Sequence, residues 1–395
     1  MRGKIVLFVL GVLIGGLLVF LAHPFHPSHT SPENIPSAAP IVEVYRGANY
    51  TAYLFYTKSG LPIDKGQLAK KIEALLDITA PNVKWQTYAI PDLPKDVVLI
   101  GYGIKVTKDG RTASYILATR ENSLPQENPR AELLKWAQKK PVFAPKIPIG
   151  TYGPPKGWVA KITTSTGEER ILSGQVSPYW YDIGPAEMQL NYPPYGNIKM
   201  KFHLYALLHD GDPQHISLLL APGKNGDGWY RIEPGYWIRH VLGNSNYGDY
   251  ITDMAKIIHD WNLDPALKPE IDTAYIPTTT KGHREIQIPL GYPPSLNFTI
   301  TIPDSKMLPA VASSTQKAGW LLEFNSNSDD AKYSFSTNVY STAKVKQSVL
   351  LDGHWHSIVK VTFQVSFKNS GNFLGWRKDH KALMALTWNL KVDNL

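Results

Sequence analysis

The protein has 395 residues, of which 43% are hydrophobic and 19% charged, with a formal net charge of +8. A chain of this length and hydrophobic content predicts two or three packed domains and excludes bulk disorder. Because cysteine is absent, disulfides, thiolate catalysis and thiolate zinc sites are excluded, while the positive charge favours anionic partners.

The first predicted element is an apolar helix. Residues 5–22 are an uninterrupted apolar run preceded by Arg2 and Lys4, and a helix of this length spans about 27 Å, close to the hydrocarbon thickness of a bilayer. We expect a single-pass signal anchor over residues 1–22 in the cell membrane. It would enter the lipid bilayer through residues 5–22, with the N-terminus cytoplasmic and residues 23–395 outside. A cleaved signal peptide and a pilin-type leader cut near Gly3 are the alternatives.

Residues 23–40 predict a proline-rich stalk. His23, His26 and His29 alternate with prolines, a composition that favours the polyproline II helix. Neighbouring imidazoles would then lie about 9 Å apart along the axis. Nitrogen ligands lie about 2 Å from a zinc ion, so we expect a spacer rather than a metal site.

Residues 41–140 predict a small α+β domain. Strands rich in β-branched and aromatic residues begin at Ile41 and Tyr50 and recur between residues 83 and 120. Asp64 and Asn128 are predicted to cap two helices with one apolar face each. A proline-rich linker over residues 141–157 follows.

Two β regions follow, at residues 158–265 and 283–395, joined by a hinge at 266–282. The first is predicted to contain one helix, since Tyr250, Met254, Ile257 and Trp261 would share a helical face. The fold class expected from the whole pattern is mainly β. After the transmembrane helix and the α+β domain come tandem β-sandwich domains of jelly-roll or lectin-like type.

A cluster of aromatic and charged residues is the first candidate site. Residues 225–240 predict a strand, a Pro-Gly turn and a second strand. Aromatic faces that stack on sugar rings, beside charged groups that bind hydroxyl pairs, are typical of sugar-binding surfaces. The predicted ligand-binding residues are Trp229, Arg231, Glu233, Trp237 and Arg239. The alternative is that the tryptophans belong to a sandwich core and the charges are solvated.

The second candidate site is a metal site. If residues 350–363 form one strand, Asp352, His354 and His356 project from the same face. Two histidines at this spacing can bind zinc when a third ligand is supplied, for which the candidates are His203, His215 and His380. A polar strand face is the alternative, and residues 223–228 resemble half of a calcium loop.

The stretch Asp352 to His356, with Gly353 and Trp355, also resembles a strand of laminin-G and related lectin-like sandwiches. The resemblance implies that Trp355 packs inside a sandwich. It covers about ten residues and implies no activity.

These residues favour a binding protein over an enzyme, because no spacing singles out a catalytic pair among Glu187, Glu233, Glu285 and Glu323. We expect a prokaryotic, membrane-anchored surface protein that binds an envelope or extracellular polysaccharide, or another anionic envelope polymer, through its aromatic residues. No nucleic-acid partner and no cofactor is expected, beyond the zinc or calcium named above. The alternatives are a homo-oligomeric subunit of a surface filament, surface layer or virion, and a glycan-cleaving hydrolase.

Overall fold

The computed structural model describes residues 38–57, 61–79, 85–123, 128–143, 160–163, 169–172, 180–207, 214–222, 228–274, 282–289, 295–303, 306–370 and 379–392. The predicted anchor of residues 1–22 lies outside these ranges, as does the stalk apart from residues 38–40. Within the ranges given, no helix has the length and apolar character needed to cross a membrane.

The described residues are mainly β and contain few helices. Their strands are β1 (Ile41–Arg46), β2 (Tyr50–Tyr56), β3 (Trp85–Asp92), β4 (Val97–Thr107), β5 (Thr112–Arg120), β6 (Ala160–Thr163), β7 (Glu169–Leu172), β8 (Trp180–Tyr192), β9 (Gly196–Leu207), β10 (His215–Ala221), β11 (Trp229–Pro234), β12 (Tyr250–Asp260), β13 (Glu270–Ala274), β14 (Gly282–Pro289), β15 (Ser295–Ile302), β16 (Lys306–Ala312), β17 (Lys317–Glu323), β18 (Phe335–Thr337), β19 (Ser341–Lys346), β20 (Trp355–Asn369) and β21 (His380–Val392). Their α-helices are α1 (Lys65–Thr79), α2 (Pro129–Gln138), α3 (Gly235–His240), α4 (Asp329–Lys332) and α5 (Gln347–Leu350).

Two large sheets contain most of these strands. The 11-stranded sheet runs β1-β2-β4-β5-β8-β9-β10-β19-β13, with β11 paired to β9 and β18 paired to β11. The six-stranded sheet runs β16-β17-β12-β20-β21-β3. The pairs β6-β7 and β14-β15 form two further antiparallel ladders. Within the large sheets, β5 and β8 pair in parallel.

The main hydrophobic core lies where the two large sheets contact each other. The rings of Phe202 and Trp388 have centroids 4.9 Å apart, and those of Tyr230 and Phe363 are 5.4 Å apart in an edge-on arrangement. All four side chains are buried, and burying one such side chain stabilises the fold by about 1.5–3 kcal/mol.

A buried polar network crosses the same interface. His259 on β12 hydrogen-bonds through Nε2 with Tyr230 Oη and through Nδ1 with Ser341 Oγ, both at 2.8 Å. Trp261 Nε1 donates to Ser341 Oγ at 3.0 Å. Burial lowers the pKa of His259 to about 3, so the imidazole is neutral and its hydrogen bonds help to fix how the sheets face each other.

Strand pairing crosses the boundaries predicted between domains. Strand β3, from the range 41–140, pairs with β21 near the C-terminus, and β5 pairs with β8 from the range 158–265. Strand β19, from the range 283–395, pairs with β10. Strands of all three ranges therefore share sheets, because backbone hydrogen bonds join segments that are distant in sequence.

The elements predicted between residues 41 and 140 are confirmed. Helix α1 buries Leu68, Ile72 and Leu76 on one face, and Asp64 Oδ1 accepts from the Gln67 amide at 2.8 Å. Helix α2 begins with Pro129, directly after its cap Asn128.

Two predicted elements are wrong. The helix expected from Tyr250 to Trp261 is strand β12, which lies between β17 and β20 and buries residues on both faces. The strand expected after the Pro-Gly turn is helix α3, which begins at Gly235 itself. Burial on both faces of β12 removes the alternation that distinguishes a strand. Helix α3 has six residues, which is too few to show a helical period.

Candidate functional site

The candidate site lies on the outer face of the 11-stranded sheet, which is turned away from the core. Strands β8, β9 and β11 place polar side chains there at every second residue. The strand register sets these side chains in three rows: Glu187, Lys201 and Trp229; Gln189, Lys199 and Arg231; and Asn191, Asn197 and Glu233. Paired amides and opposite charges thus form a continuous floor.

Helix α2 forms a wall beside this floor and is fixed at its first turn. Asn128 Oδ1 accepts a hydrogen bond from the Arg130 amide at 3.0 Å, which satisfies one of the free donors at the helix start. The Arg130 guanidinium donates through two nitrogens to Glu43 on β1, at 2.7 and 2.8 Å. The start of the helix is therefore tied to the edge of the sheet.

Two glycines of β4 allow α2 to lie close to the sheet. A Cβ atom on Gly103 would lie 2.7 Å from Cζ3 of Trp136, and one on Gly101 would lie 3.2 Å from Cδ1 of Leu133. Trp136 also stacks on Tyr115 of β5, with centroids 5.5 Å apart and planes 16° apart. The aromatic edge of the wall therefore depends on the absence of side chains at these two positions.

Lys105 fixes the other end of α2. Its Nζ donates to the carbonyl oxygens of Trp136 and Lys139, both at 2.6 Å, and lies 3.9 Å from the centroid of the Trp136 ring. Burial lowers the pKa of Lys105 to about 7; Glu187 opposes this change, and Lys139 and Lys201 add to it.

Two clefts run along α2 above the sheet. The first has a volume of about 680 Å³ and the second about 520 Å³. Glu132 on α2 and Gln189 on β8 line both, so the clefts adjoin each other. We call the two together the α2 groove.

The two ends of the α2 groove differ in chemistry. Five of the described residues lining the first cleft are lysines: Lys105, Lys135, Lys139, Lys140 and Lys201. The described residues of the second cleft include a set of side-chain amides: Asn122, Gln189, Asn191, Asn244 and Asn246. The groove thus has a basic end and an amide end.

The aromatic rings of Tyr192 and Tyr195 contact an arginine that lines the amide end. The guanidinium of Arg120, which lines the second cleft, lies over both rings, 5.3 and 5.2 Å from their centroids. Tyr247 donates through its hydroxyl to Asn197 Oδ1 at 2.6 Å. These contacts hold the side chains around the second cleft in place.

Three of the predicted ligand-binding residues share the outer face of β11. The guanidinium of Arg231 lies 4.6 Å from the centroid of the Trp229 ring, and its Nε donates to Ser336 Oγ at 3.1 Å. Glu233 is buried and forms an ion pair with Lys199 at 2.9 Å. One face of Trp229 is thus covered, and the Glu233 carboxylate already has a partner.

The other two predicted ligand-binding residues do not join this face. Trp237 and Arg239 were expected on a second strand, but they lie on helix α3. Arg239 is exposed and lies 3.5 Å from Asp249 Oδ1. The structure therefore groups Trp229, Arg231 and Glu233, and places Trp237 and Arg239 on a separate element.

The residues of the predicted metal site are arranged differently from the expectation. Asp352 and His354 precede strand β20, which begins only at Trp355. His356 Nε2 hydrogen-bonds with Asp352 Oδ1 at 3.0 Å and its Nδ1 with Asp264 Oδ2 at 2.7 Å, so both ring nitrogens are engaged. Among the described residues, no group of three or more histidine or acidic side chains could hold a metal ion.

The histidines named as a third zinc ligand lie on other strands. His203 is buried on β9 and forms an ion-pair contact with Asp182 at 2.9 Å, and His215 is on β10. His380 on β21 stacks on Tyr195, with centroids 3.8 Å apart. Of the residues resembling a calcium loop, 223–227 lie outside the described ranges.

The four glutamates considered for hydrolysis are also dispersed. Glu187 lines the first cleft, Glu233 is paired with Lys199, and Glu323 lies on β17 of the other sheet. Glu285 is on β14, in a segment whose side chains lie outside the described part of the structure.

The α2 groove was not among the sites predicted from the sequence. Its wall and floor come from segments more than forty residues apart, and their proximity depends on the parallel pairing of β5 with β8. Two signals were present in the sequence: the glycines at 101 and 103 inside an apolar strand, and the alternating polar residues from Glu187 to Asn191.

No family model matches the chain, and no curated protein matches it. Among solved structures, the delta-toxin of Clostridium perfringens is similar to 55% of this chain over 92% of its own, with a TM-score of 0.34 and 9% identity. The NetB toxin of Clostridium perfringens in its membrane-inserted form is similar to 52% of this chain over 94% of its own, with a TM-score of 0.25 and 8% identity. Similarities of this size support no conclusion about fold or function.

Proposed function

We propose that the protein binds a polysaccharide along the α2 groove. One observation carries this proposal. The groove joins two clefts over a floor of paired amide and charged side chains, and aromatic rings border it. A surface of this composition suits a ligand that presents both hydroxyl groups and apolar ring faces.

The chemistry of the floor matches that of sugar hydroxyls. The side-chain amides of Gln189 and Asn191 can each donate and accept hydrogen bonds, as a hydroxyl group does. The two amides are themselves joined at 2.8 Å, with Gln189 Nε2 donating to Asn191 Oδ1, which orients their remaining groups. The wall from Pro129 to Lys139 is about 15 Å long, so the groove suits a chain of several sugar units.

The predicted location and residues are part of this proposal. Residues 5–22 would anchor the chain in the bilayer and hold the groove outside the cell. Trp229 lies in the same row as Glu187 and Lys201, so a longer ligand could reach it across β9. The two large sheets would then act as a lectin-like scaffold.

The proposal is tested by binding of polysaccharides to the full chain purified in detergent. A panel of neutral and acidic polysaccharides is titrated while tryptophan fluorescence is followed. We expect a saturable response to at least one polymer, and Gln189→Ala should weaken it about 5–10-fold, because a typical hydrogen bond contributes about 1 kcal/mol.

Gln364→Ala is the matched control, since Gln364 is a half-buried strand glutamine of the other sheet. It should leave the affinity unchanged. A lack of response to every polymer would contradict the proposal, as would equal effects of the two substitutions. Oligomers that grow with concentration in sedimentation would then favour the structural-subunit alternative.

A second candidate function is cleavage of the bound glycan. It is favoured by the presence of two carboxylates, Glu132 and Glu187, in the lining of the first cleft, since glycoside hydrolysis requires a pair of such groups. Release of reducing sugar that Glu187→Gln abolishes, without loss of binding, would establish this activity.

A further inference from the structure

The basic end of the α2 groove presents more positive charge than binding of neutral sugars requires. Lys135 lies in the last turn of α2, and Lys139 is the C-cap residue of the helix. Both are exposed, as is Lys140 directly after the helix. Lys201 reaches the same cleft from β9 on the floor.

The negative groups nearby do not cancel this charge. Glu187 is opposite Lys201 in the register of β8 and β9, which places the two charges side by side on the floor. Glu132 is the other acidic residue among the described side chains of the first cleft. The first cleft is therefore lined by more lysines than carboxylates, and the three exposed lysines carry the excess positive charge.

Lys105 removes a further source of repulsion for an anion. The last carbonyl groups of a helix carry partial negative charge. Here Lys105 Nζ donates to the carbonyl oxygens of Trp136 and Lys139, so these oxygens are already engaged in hydrogen bonds. The exposed charge at this end of the wall is then that of the lysine side chains.

We propose that the basic end of the α2 groove binds the acidic groups, carboxylate or sulfate, of an anionic polysaccharide, while its amide end binds uncharged sugar units. This inference rests on the proposed function and specifies its ligand class. The amide end lacks such an excess, because its described lining has one cationic residue, Arg120, and one carboxylate, Glu132.

The test compares polygalacturonate with the same polymer after chemical reduction of its carboxyl groups. We expect the full chain to bind the carboxylated polymer about tenfold more tightly at low salt, since three exposed ion pairs each contribute modestly. This preference should fall as salt is raised, because exposed charges are screened.

A triple variant with Lys135→Gln, Lys139→Gln and Lys140→Gln should lose the preference and keep its affinity for the reduced polymer. The matched control has the same change in net charge away from the groove. Its substitutions, at exposed lysines, are Lys65→Gln, Lys70→Gln and Lys108→Gln. The control should keep the preference.

The outcomes separate this inference from the function on which it rests. Equal binding of both polymers by the unmodified chain, or a preference that survives in the groove variant, overturns the acidic ligand and leaves polysaccharide binding in place. A preference lost equally in both triple variants also overturns it, because net charge alone would then explain the effect. Failure to bind either polymer overturns the acidic ligand, and the wider panel of neutral and acidic polysaccharides then decides whether polysaccharide binding stands.

Discussion

The neighbours of two buried histidines shift their pKa values in opposite directions. His259 hydrogen-bonds with two uncharged side chains, Tyr230 and Ser341, and burial lowers its pKa. Burial opposes the charge of His356 too, but the hydrogen bonds with Asp264 and Asp352 outweigh it and raise the pKa of His356. The two pKa values shift in different directions because His356 hydrogen-bonds with two carboxylates, whereas the hydrogen bonds of His259 described above are with hydroxyl groups.

The stability contributed by His356 should therefore depend on pH in a defined direction. Its folded pKa is raised above the usual value of about 6.5, so its contribution is fully present below that value and is lost as pH rises through the folded pKa. Burial raises the pKa of Asp352, but the hydrogen bonds from the His356 side chain and the His354 amide together lower it overall. On the acidic side the contribution is therefore lost as pH falls through the folded pKa of Asp352.

The measurement is urea unfolding of the unmodified chain and of His356→Gln from about pH 4 to about pH 9. The difference in free energy of unfolding should be largest at mildly acidic pH and smaller at both ends. His354→Gln is the control, because His354 is exposed and contributes its backbone amide to Asp352. A difference that is constant with pH would show that the charge of His356 is unimportant.

At the scale of elements, the position of α2 depends on the absence of a side chain at a glycine of β4. Strand β4 is buried along nearly its whole length, and at Gly103 the space that a side chain would fill is taken by the Trp136 ring. The helix therefore approaches the sheet closely at this point, and the wall of the groove is formed as a result.

Gly103→Ala should therefore destabilise the protein by about 1–3 kcal/mol, because a methyl group would be forced against Trp136 in a packed region. It should also weaken ligand binding at the groove by moving the wall. The measurement is the free energy of unfolding in urea, together with the affinity for the bound polymer.

Gly66→Ala provides the matched comparison. A Cβ atom at Gly66, in α1, meets its nearest neighbour at an ordinary 3.4 Å, and alanine is favoured over glycine in a helix by about 0.5–1 kcal/mol. This variant should be more stable than the unmodified chain and should bind the polymer with unchanged affinity. Equal stability of Gly103→Ala and the unmodified chain would mean that α2 does not need the close approach.

Helix α1, which has one exposed face, could be predicted from the sequence, whereas strand β12, which buries residues on both faces, could not. Helix α1 shows apolar residues at helical spacing and a capping aspartate, and it was predicted close to its observed bounds. Strand β12 has His259 and Lys256 among its buried residues and neighbours on both sides. Its pattern therefore imitates a helix face, and only the strand pairing identifies it.

The candidate site was predictable only in part for a related reason. Alternation along β11 placed Trp229, Arg231 and Glu233 on one face, as the structure has them. The pattern does not indicate which strands are neighbours in a sheet. It therefore could not predict that Glu187 of β8 lies beside Lys201, or that α2 lies over both residues.

At the scale of the whole molecule, the two large sheets are interleaved along the chain. The chain leaves the 11-stranded sheet after β2, contributes β3 to the six-stranded sheet, and returns with β4. Residues of both sheets belong to one hydrophobic core. The sheets should therefore be stable only together.

A fragment of residues 41–140 should not fold cooperatively on its own. It contains β3 without its partner β21 and β5 without its partner β8, so two strands would expose unpaired backbone. Circular dichroism during heating should show no cooperative transition for the fragment, whereas residues 41–395 should show one. A sharp transition in the fragment would establish that this range is an independent domain.

The pairing of β3 with β21 also has a consequence for the folding of the chain during its synthesis. Thr87 on β3 donates to the carbonyl oxygen of Asn389, 302 residues later in the chain. Ribosomes add about 5–20 residues per second, so β3 leaves the ribosome roughly 15–60 s before its partner strand is made. During that interval the nascent chain carries an open strand edge that neighbouring chains could pair with. A cell making this protein in quantity therefore needs a chaperone, or export before folding, to keep unfinished chains apart.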